Sequence, residues 1–224
     1  FIPFLKELLE KEEEEIDCLV IAAAGPNNQS FINLTNRDLL IDSRELRTKL
    51  NLKECLLLND WEAVAQSLSE MNQECFIPIK RGAPSNENKL LIGPGTGLGV
   101  TLIIKGQIIP TELGNTFSLT KGMLENFDLR DNEKFFSLEN ILSGPGIEKL
   151  YEEKFKRKLS SEKIISSALD ESEEGLFIIE NFLKTLVSTI NDLVLSFSCE
   201  KVILGGSILN TLKPILMTEK ILEY

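Results

Sequence analysis

Between Leu90 and Lys105 two apolar runs, Leu90 to Ile92 and Val100 to Lys105, are joined by Gly93-Pro-Gly-Thr-Gly-Leu-Gly99. Few local folds satisfy this arrangement. The flanking runs are too short and too rich in branched residues for helices, so the glycines connect two strands. Glycine lets backbone N–H groups approach an anion closely, and Thr96 adds a hydroxyl donor. A P-loop needs a lysine and a following helix, and a dinucleotide fingerprint also needs a helix next; neither context is met. An ordinary glycine-rich hairpin would need fewer glycines. The reading is a tight hairpin turn that can grip phosphate.

The rest of the chain alternates strand and helix signals. Phe4 to Glu15 reads as a helix whose end carries the run Glu12 to Glu15. Cys18 to Ala24, closed by Gly25-Pro26, and Glu54 to Leu58 read as strands buried on both faces. Phe31 to Leu34 and Asp38 to Asp42 look extended, and Ser43 is expected to cap a helix reaching Leu50. Helical spacing runs from Trp61 to Met71, and Lys80 to Asn88 reads as a polar linker. It returns after Asn132, breaks at Ser143-Gly-Pro-Gly146 and resumes from Ile147 to Phe155. Leu176 to Phe197 is a long amphipathic helix. Gln107 to Ile109 continues the sheet after a turn at Gly106, and Lys201 to Leu204 is a further buried strand before Gly205-Gly206 and more helix. The pattern predicts an α/β protein with covered sheets.

Composition narrows the chemistry. The 224 residues carry 24 Lys and Arg against 35 Asp and Glu, a net charge of -11, which disfavours nucleic-acid phosphate backbones as partners. No apolar run is long enough for a membrane span, and no signal peptide is visible. A soluble cytoplasmic protein is expected. Cys18, Cys55, Cys75 and Cys199 are widely spaced and read as free thiols, mostly buried, with no metal pair. The chain has no histidine, so no histidine base, triad or metal ligand can operate. Proton transfer falls to a carboxylate, Lys, Tyr or Cys.

Asn59-Asp60 ends the second strand run. Ligands of open α/β sheets collect at carboxyl ends of strands, where an aspartate can take a hydroxyl proton during phosphoryl transfer. Spacing alone favours a helix N-cap before Trp61-Glu-Ala63, and the two roles are compatible because Asn59 and Asp60 cannot both be the cap. Glu112 follows an apolar strand and Glu139 precedes Ser-Gly-Pro-Gly; singly, each reads as a surface carboxylate.

The order of the pieces is more specific than any one of them, and it resembles the bacterial glucokinase family. The matching stretches are Ala24-Gly25-Pro26, Leu34-Thr-Asn36, Leu57-Leu-Asn-Asp-Trp61, Ile92-Gly-Pro-Gly-Thr-Gly-Leu-Gly-Val100, Pro110-Thr-Glu-Leu-Gly114, Glu139-Asn-Ile-Leu-Ser-Gly-Pro-Gly146 and Leu204-Gly-Gly206. The resemblance implies a two-lobed actin-like ATPase fold, incomplete at both ends, with a smaller α/β domain over residues 1–72 and a larger one over 73–224. It implies glucose and ATP as ligands, Mg²⁺ as cofactor, glucose 6-phosphate as product, and a homodimer. Asn59 and Asp60 would hold the outer sugar hydroxyls, with Asp60 as the base at the 6-hydroxyl. Glu112 and Glu139 would bind the anomeric side. Gly95, Thr96 and Gly97 would hold phosphate, and Gly205-Gly206 would lie against the adenosine.

Three departures qualify that picture. Asn115 stands where the family usually has a sugar-contacting histidine. The family's Asp-x-Gly-Gly-Thr phosphate motif does not occur in the sequence, and neither does its final glycine-rich strand and tail. Asn115 and the missing phosphate motif motivate a second expectation, a sugar-sensing paralogue with the same fold. A third reading, the zinc-bearing sugar kinases and repressors, needs clustered cysteines and a histidine that the chain lacks.

Overall fold

The computed structural model describes residues 1–25, 30–34, 39–116 and 122–224. They divide into two compact units, Phe1–Met71 and Asn72–Tyr224. Pro26, Thr35, Asn36 and Asp38, which belong to stretches singled out above, lie outside the described residues.

In the first unit, α1 (Ile2–Leu9) is followed by strand β1 (Cys18–Ala23). Then come β2 (Phe31–Asn33), β3 (Leu40–Asp42), α2 (Ser43–Leu50), β4 (Glu54–Asn59) and α3 (Asp60–Ser67). α1 stops before the glutamates rather than continuing to Glu15. Four consecutive like charges repel one another on any helix face, and nothing apolar there rewards continuing.

β1 and β4 pair in parallel, with Leu19 opposite Cys55, Ile21 opposite Leu57 and Ala23 opposite Asn59. These residues share one face and pack against Leu5, Ile32, Ile41 and Leu46 from the helices and from the β2–β3 hairpin. The other face is not buried: Val20 is 52% exposed and its partner Leu56 44%. The expectation of strands covered on both faces therefore fails here. A continuous apolar run fixes what the strand tolerates, not what covers it.

The cap of α2 also differs from expectation. Asp42, not Ser43, accepts the Arg44 and Glu45 N–H groups, at 2.8 and 3.3 Å. Ser43 is the first helical residue, and its hydroxyl donates to the Ser30 carbonyl at 3.0 Å.

The second unit is built on a four-stranded sheet in the order β7–β6–β5–β8, comprising β5 (Lys89–Pro94), β6 (Leu98–Ile104), β7 (Gln107–Pro110) and β8 (Lys201–Leu204). β5 and β6 are antiparallel and β8 is parallel to β5. Leu90, Ile92, Leu98, Val100 and Leu102 form one face, which packs with α4 (Gly144–Phe155), α5 (Ser161–Leu169) and α6 (Glu173–Phe197) into the larger core. On α6, Ile178, Phe182, Leu186, Thr189 and Leu193 keep the three- and four-residue spacing of an inward stripe. β8 is an exposed to half-buried strand rather than the expected buried one. Three short helices follow it: α7 (Ser207–Thr211), α8 (Lys213–Leu216) and α9 (Glu219–Leu222).

Several boundaries shift. The helix over Trp61 to Met71 ends at Ser67. Ser-Gly-Pro-Gly146 is a helix start rather than a break, because Ser143 accepts the Gly146 N–H at 3.0 Å and Pro145 occupies the first turn, where no amide partner is lost. The residues before it, from Glu133 to Asn140, form two 3₁₀ turns rather than a helix. α5 has no counterpart in the sequence reading, and α6 begins at Glu173 rather than Leu176. Residues 80–88 belong to the second unit, where Ser85 and Asn86 donate to the Glu200 carboxylate. Those bonds hold the Glu200 carboxyl below its ordinary pKa, with Ser85 contributing most.

All four cysteines are free, but only Cys55 and Cys199 are buried, and burial pushes both thiols up in pKa. No helix among the described residues is long and apolar enough to cross a membrane.

Phe182 is wholly buried at the centre of the larger core. Phe182→Ala is expected to destabilise the protein by about 3–5 kcal/mol through lost burial and an unfilled cavity, measured as a loss of unfolding free energy in urea.

Candidate functional site

In the first unit, polar groups gather at the end of β4 where it turns into α3. Asn59 is buried and takes the cap: its Oδ1 accepts the Trp61 and Glu62 N–H groups at 2.9 and 3.3 Å. Glu62 returns the favour by accepting the Asn59 N–H at 3.1 Å, which completes a capping box. The Asn59 amide also donates to the Gly25 carbonyl at 3.3 Å, tying the end of β4 to the end of β1. Gly25 must be glycine, since its φ is +150° and a Cβ would lie 2.2 Å from the Asn33 carbonyl oxygen.

With Asn59 as the cap, Asp60 is left as the first residue of α3, half-buried, with Oδ1 accepting the Trp61 N–H at 2.9 Å. A carboxylate there is favoured by the helix dipole. Asn59 is therefore the cap, and Asp60 is the first residue inside the helix.

The second unit places the glycine run at the tip of the β5–β6 hairpin. Pro94 pairs with Leu98, so Gly95, Thr96 and Gly97 form the turn. The Gly95 N–H donates to the Gly97 carbonyl at 2.8 Å, and the Gly95 carbonyl accepts the Gly144 N–H at 2.8 Å. None of these bonds uses the N–H of Thr96 or of Gly97, and Thr96 is exposed. Those two amides and the Thr96 hydroxyl are therefore the donors that the turn can aim at an anion. Gly95 shapes the turn, but its own amide is committed to the loop.

Four segments distant in sequence close on this turn. Glu139 Oε2 accepts the Leu98 N–H at 2.9 Å, and a Cβ on Gly97 would lie 2.4 Å from the same oxygen. Gly114 backs onto Leu98, where a Cβ would meet the carbonyl oxygen at 2.5 Å. Gly144 approaches Gly95 at the start of α4. The Gly205 N–H donates to the Ile92 carbonyl at 3.0 Å. Gly206 has φ +96°, and a Cβ there would stand 2.8 Å from the Pro94 carbonyl oxygen.

Glu112 and Asn115 flank the Gly114 contact. The Asn115 amide donates to Glu112 Oε2 at 3.0 Å, and both side chains are exposed. Asn115 therefore orients a carboxylate. The second unit thus gathers Gly95, Thr96, Gly97, Glu112, Asn115, Glu139, Gly205 and Gly206 around one hairpin tip, while Asn59 and Asp60 belong to the first unit. Sequence reasoning missed the supporting parts, namely the Leu98 N–H, Gly114 and Gly144.

No cluster of three or more His, Cys, Asp or Glu side chains that could hold a metal occurs among the described residues.

The glucokinase family model matches residues 2–223. A glucokinase-like protein of Xylella fastidiosa strain Temecula1 is 30% identical over 92% of this chain and 67% of its own length. A glucokinase of Nostoc punctiforme is 30% identical over 72% of this chain and 50% of its own. The chain thus spans between half and two thirds of these relatives. Among solved structures, a glucokinase from an Antarctic psychrotroph superposes with a TM-score of 0.76 at 24% identity, covering 100% of this chain and 74% of that one. The likeness establishes the fold, that of sugar kinases with the actin-like ATPase architecture.

The glycine contacts predict unequal costs. Gly114→Ala is expected to lose about 1–3 kcal/mol, because the Leu98 carbonyl it meets is backbone in a buried strand. Gly95→Ala, with nothing within 4 Å of its Cβ, should stay within about 0.5 kcal/mol of the parent. Thermal unfolding of the two variants side by side measures the difference.

Proposed function

Because the chain belongs to the glucokinase family, we propose that it transfers the γ-phosphoryl group of ATP to the 6-hydroxyl of glucose, the entry step of glycolysis. The observation that carries the reading is the gathering of the family's motifs on the β5–β6 hairpin tip. There the free amides suited to phosphate and the carboxylate segments suited to a polyol share one support at Leu98.

In this reading the Asp60 carboxylate accepts the proton of the 6-hydroxyl while that oxygen bonds to the γ-phosphorus and the bond from phosphorus to the ADP oxygen breaks. Products are glucose 6-phosphate, ADP and one proton on Asp60 that returns to water. Thr96 and the Gly97 N–H hold phosphate oxygens. Mg²⁺, arriving with ATP, supplies neutralisation of phosphate charge. Glu112 and Glu139 accept hydrogen bonds from hydroxyls at the anomeric side, and a sugar lacking a matching hydroxyl would forgo one of those bonds. Asn115 contributes here by fixing the Glu112 carboxylate. Gly205 and Gly206 line the adenosine side, and Asn59 shares the outer hydroxyls with Asp60.

Asp60→Ala in the full-length protein is expected to lower turnover about 10²–10⁴-fold in a coupled ATP assay, while glucose binding measured by calorimetry persists. Near-parent turnover would remove Asp60 from the mechanism. Glucose binding with no ATP turnover in the parent would favour the sugar-sensing reading.

A further inference from the structure

Glu139 does more than a sugar ligand needs to do. It sits in a 3₁₀ turn, Leu138–Asn140, that is fixed on both sides. Before it, the Leu138 N–H donates to the Thr116 carbonyl at 2.9 Å, and Ser137 and Asn140 form a capping box. After it, Ile141 and Leu142 are wholly buried and Ser143 caps α4. The side chain is thus delivered from a rigid backbone, and its Oε2 accepts the N–H of Leu98, the residue at which the glycine turn re-enters β6. Leu98 is 6% exposed, so water does not readily replace that acceptor. Gly97 carries no side chain where one would drive the carboxylate away.

From this geometry we propose that Glu139 is a positioning residue for the phosphate-gripping turn, so that sugar and nucleotide affinities are coupled through its carboxylate. The proposal rests on the reading of Glu139 as a sugar ligand given above. A carboxylate has acceptor capacity beyond the one bond to Leu98. A sugar hydroxyl that bonds Glu139 therefore engages the same group that sets where the turn begins β6. A phosphate held by Thr96 and Gly97 fixes the turn and, with it, the carboxylate. Coupling of this kind is reciprocal: each ligand raises the other's affinity by the same factor.

The test uses the full chain and three variants. In the unliganded protein, Glu139→Ala should speed amide hydrogen exchange at Leu98 by about tenfold or more, the factor expected when a bond to a charged acceptor is lost. It should also weaken binding of a non-hydrolysable ATP analogue about tenfold with no sugar present. Glu139→Gln, which still offers an oxygen to the Leu98 N–H, should restore both while leaving glucose affinity reduced. Gly97→Ala should reproduce the faster exchange with the carboxylate intact, which covers the case in which Glu139→Ala fails to fold.

Parent-like analogue affinity or Leu98 exchange in Glu139→Ala would overturn the proposal, as would a Glu139→Gln variant equally impaired in both. Failure of the kinase reading looks different: the parent would consume no ATP with any hexose, while Leu98 exchange would still respond to the variants.

Discussion

The second unit depends on how closely its backbones approach at one hairpin tip. Alanine at Gly97, Gly114 or Gly206 would put a Cβ within 2.4 to 2.8 Å of an oxygen, distances at which a neighbour must move. Two of those oxygens are backbone carbonyls of β5 and β6 and cannot swing aside. The glycines therefore let the segments around residues 114, 144 and 206 close on the β5–β6 turn and arrive with their functional groups already aimed.

The first unit solves a smaller version of the same problem. A strand that ends in Asn-Asp before a helix has two candidates for one cap. Asn59 is held by both the Gly25 carbonyl and the Glu62 carboxylate, so it takes the cap. Asp60 then keeps the helix-start position, with its Oδ1 accepting only the adjacent Trp61 N–H.

Legibility from sequence differed by kind of feature. The β5–β6 hairpin, the long α6 and the β-strand nature of Cys18 to Ala23 followed from apolar periodicity and stop residues. Failures came where the same local pattern serves two structures. Ser143-Gly-Pro-Gly146 reads equally as a helix break or a helix start, and Ser143 side-chain geometry decides it. Asp42-Ser43 holds two good capping residues, and the Ser30 carbonyl, thirteen positions away, draws the serine hydroxyl off. The apolar β1 and β4 promised cover on both faces, yet the Val20–Leu56 face is open.

By itself the sequence determined the family, through the order of its motifs, and the strands and helices long enough to show a period. It also excluded histidine chemistry outright. Only the tertiary structure decided that the Gly95 amide is spent inside the turn, that Asn115 steadies Glu112, and that Glu139 reaches the Leu98 N–H 41 positions away. The physical reason is range. Periodicity and capping are set within a few residues, whereas a hydrogen bond or a forbidden Cβ depends on where packing brings a distant segment to within about 3 Å.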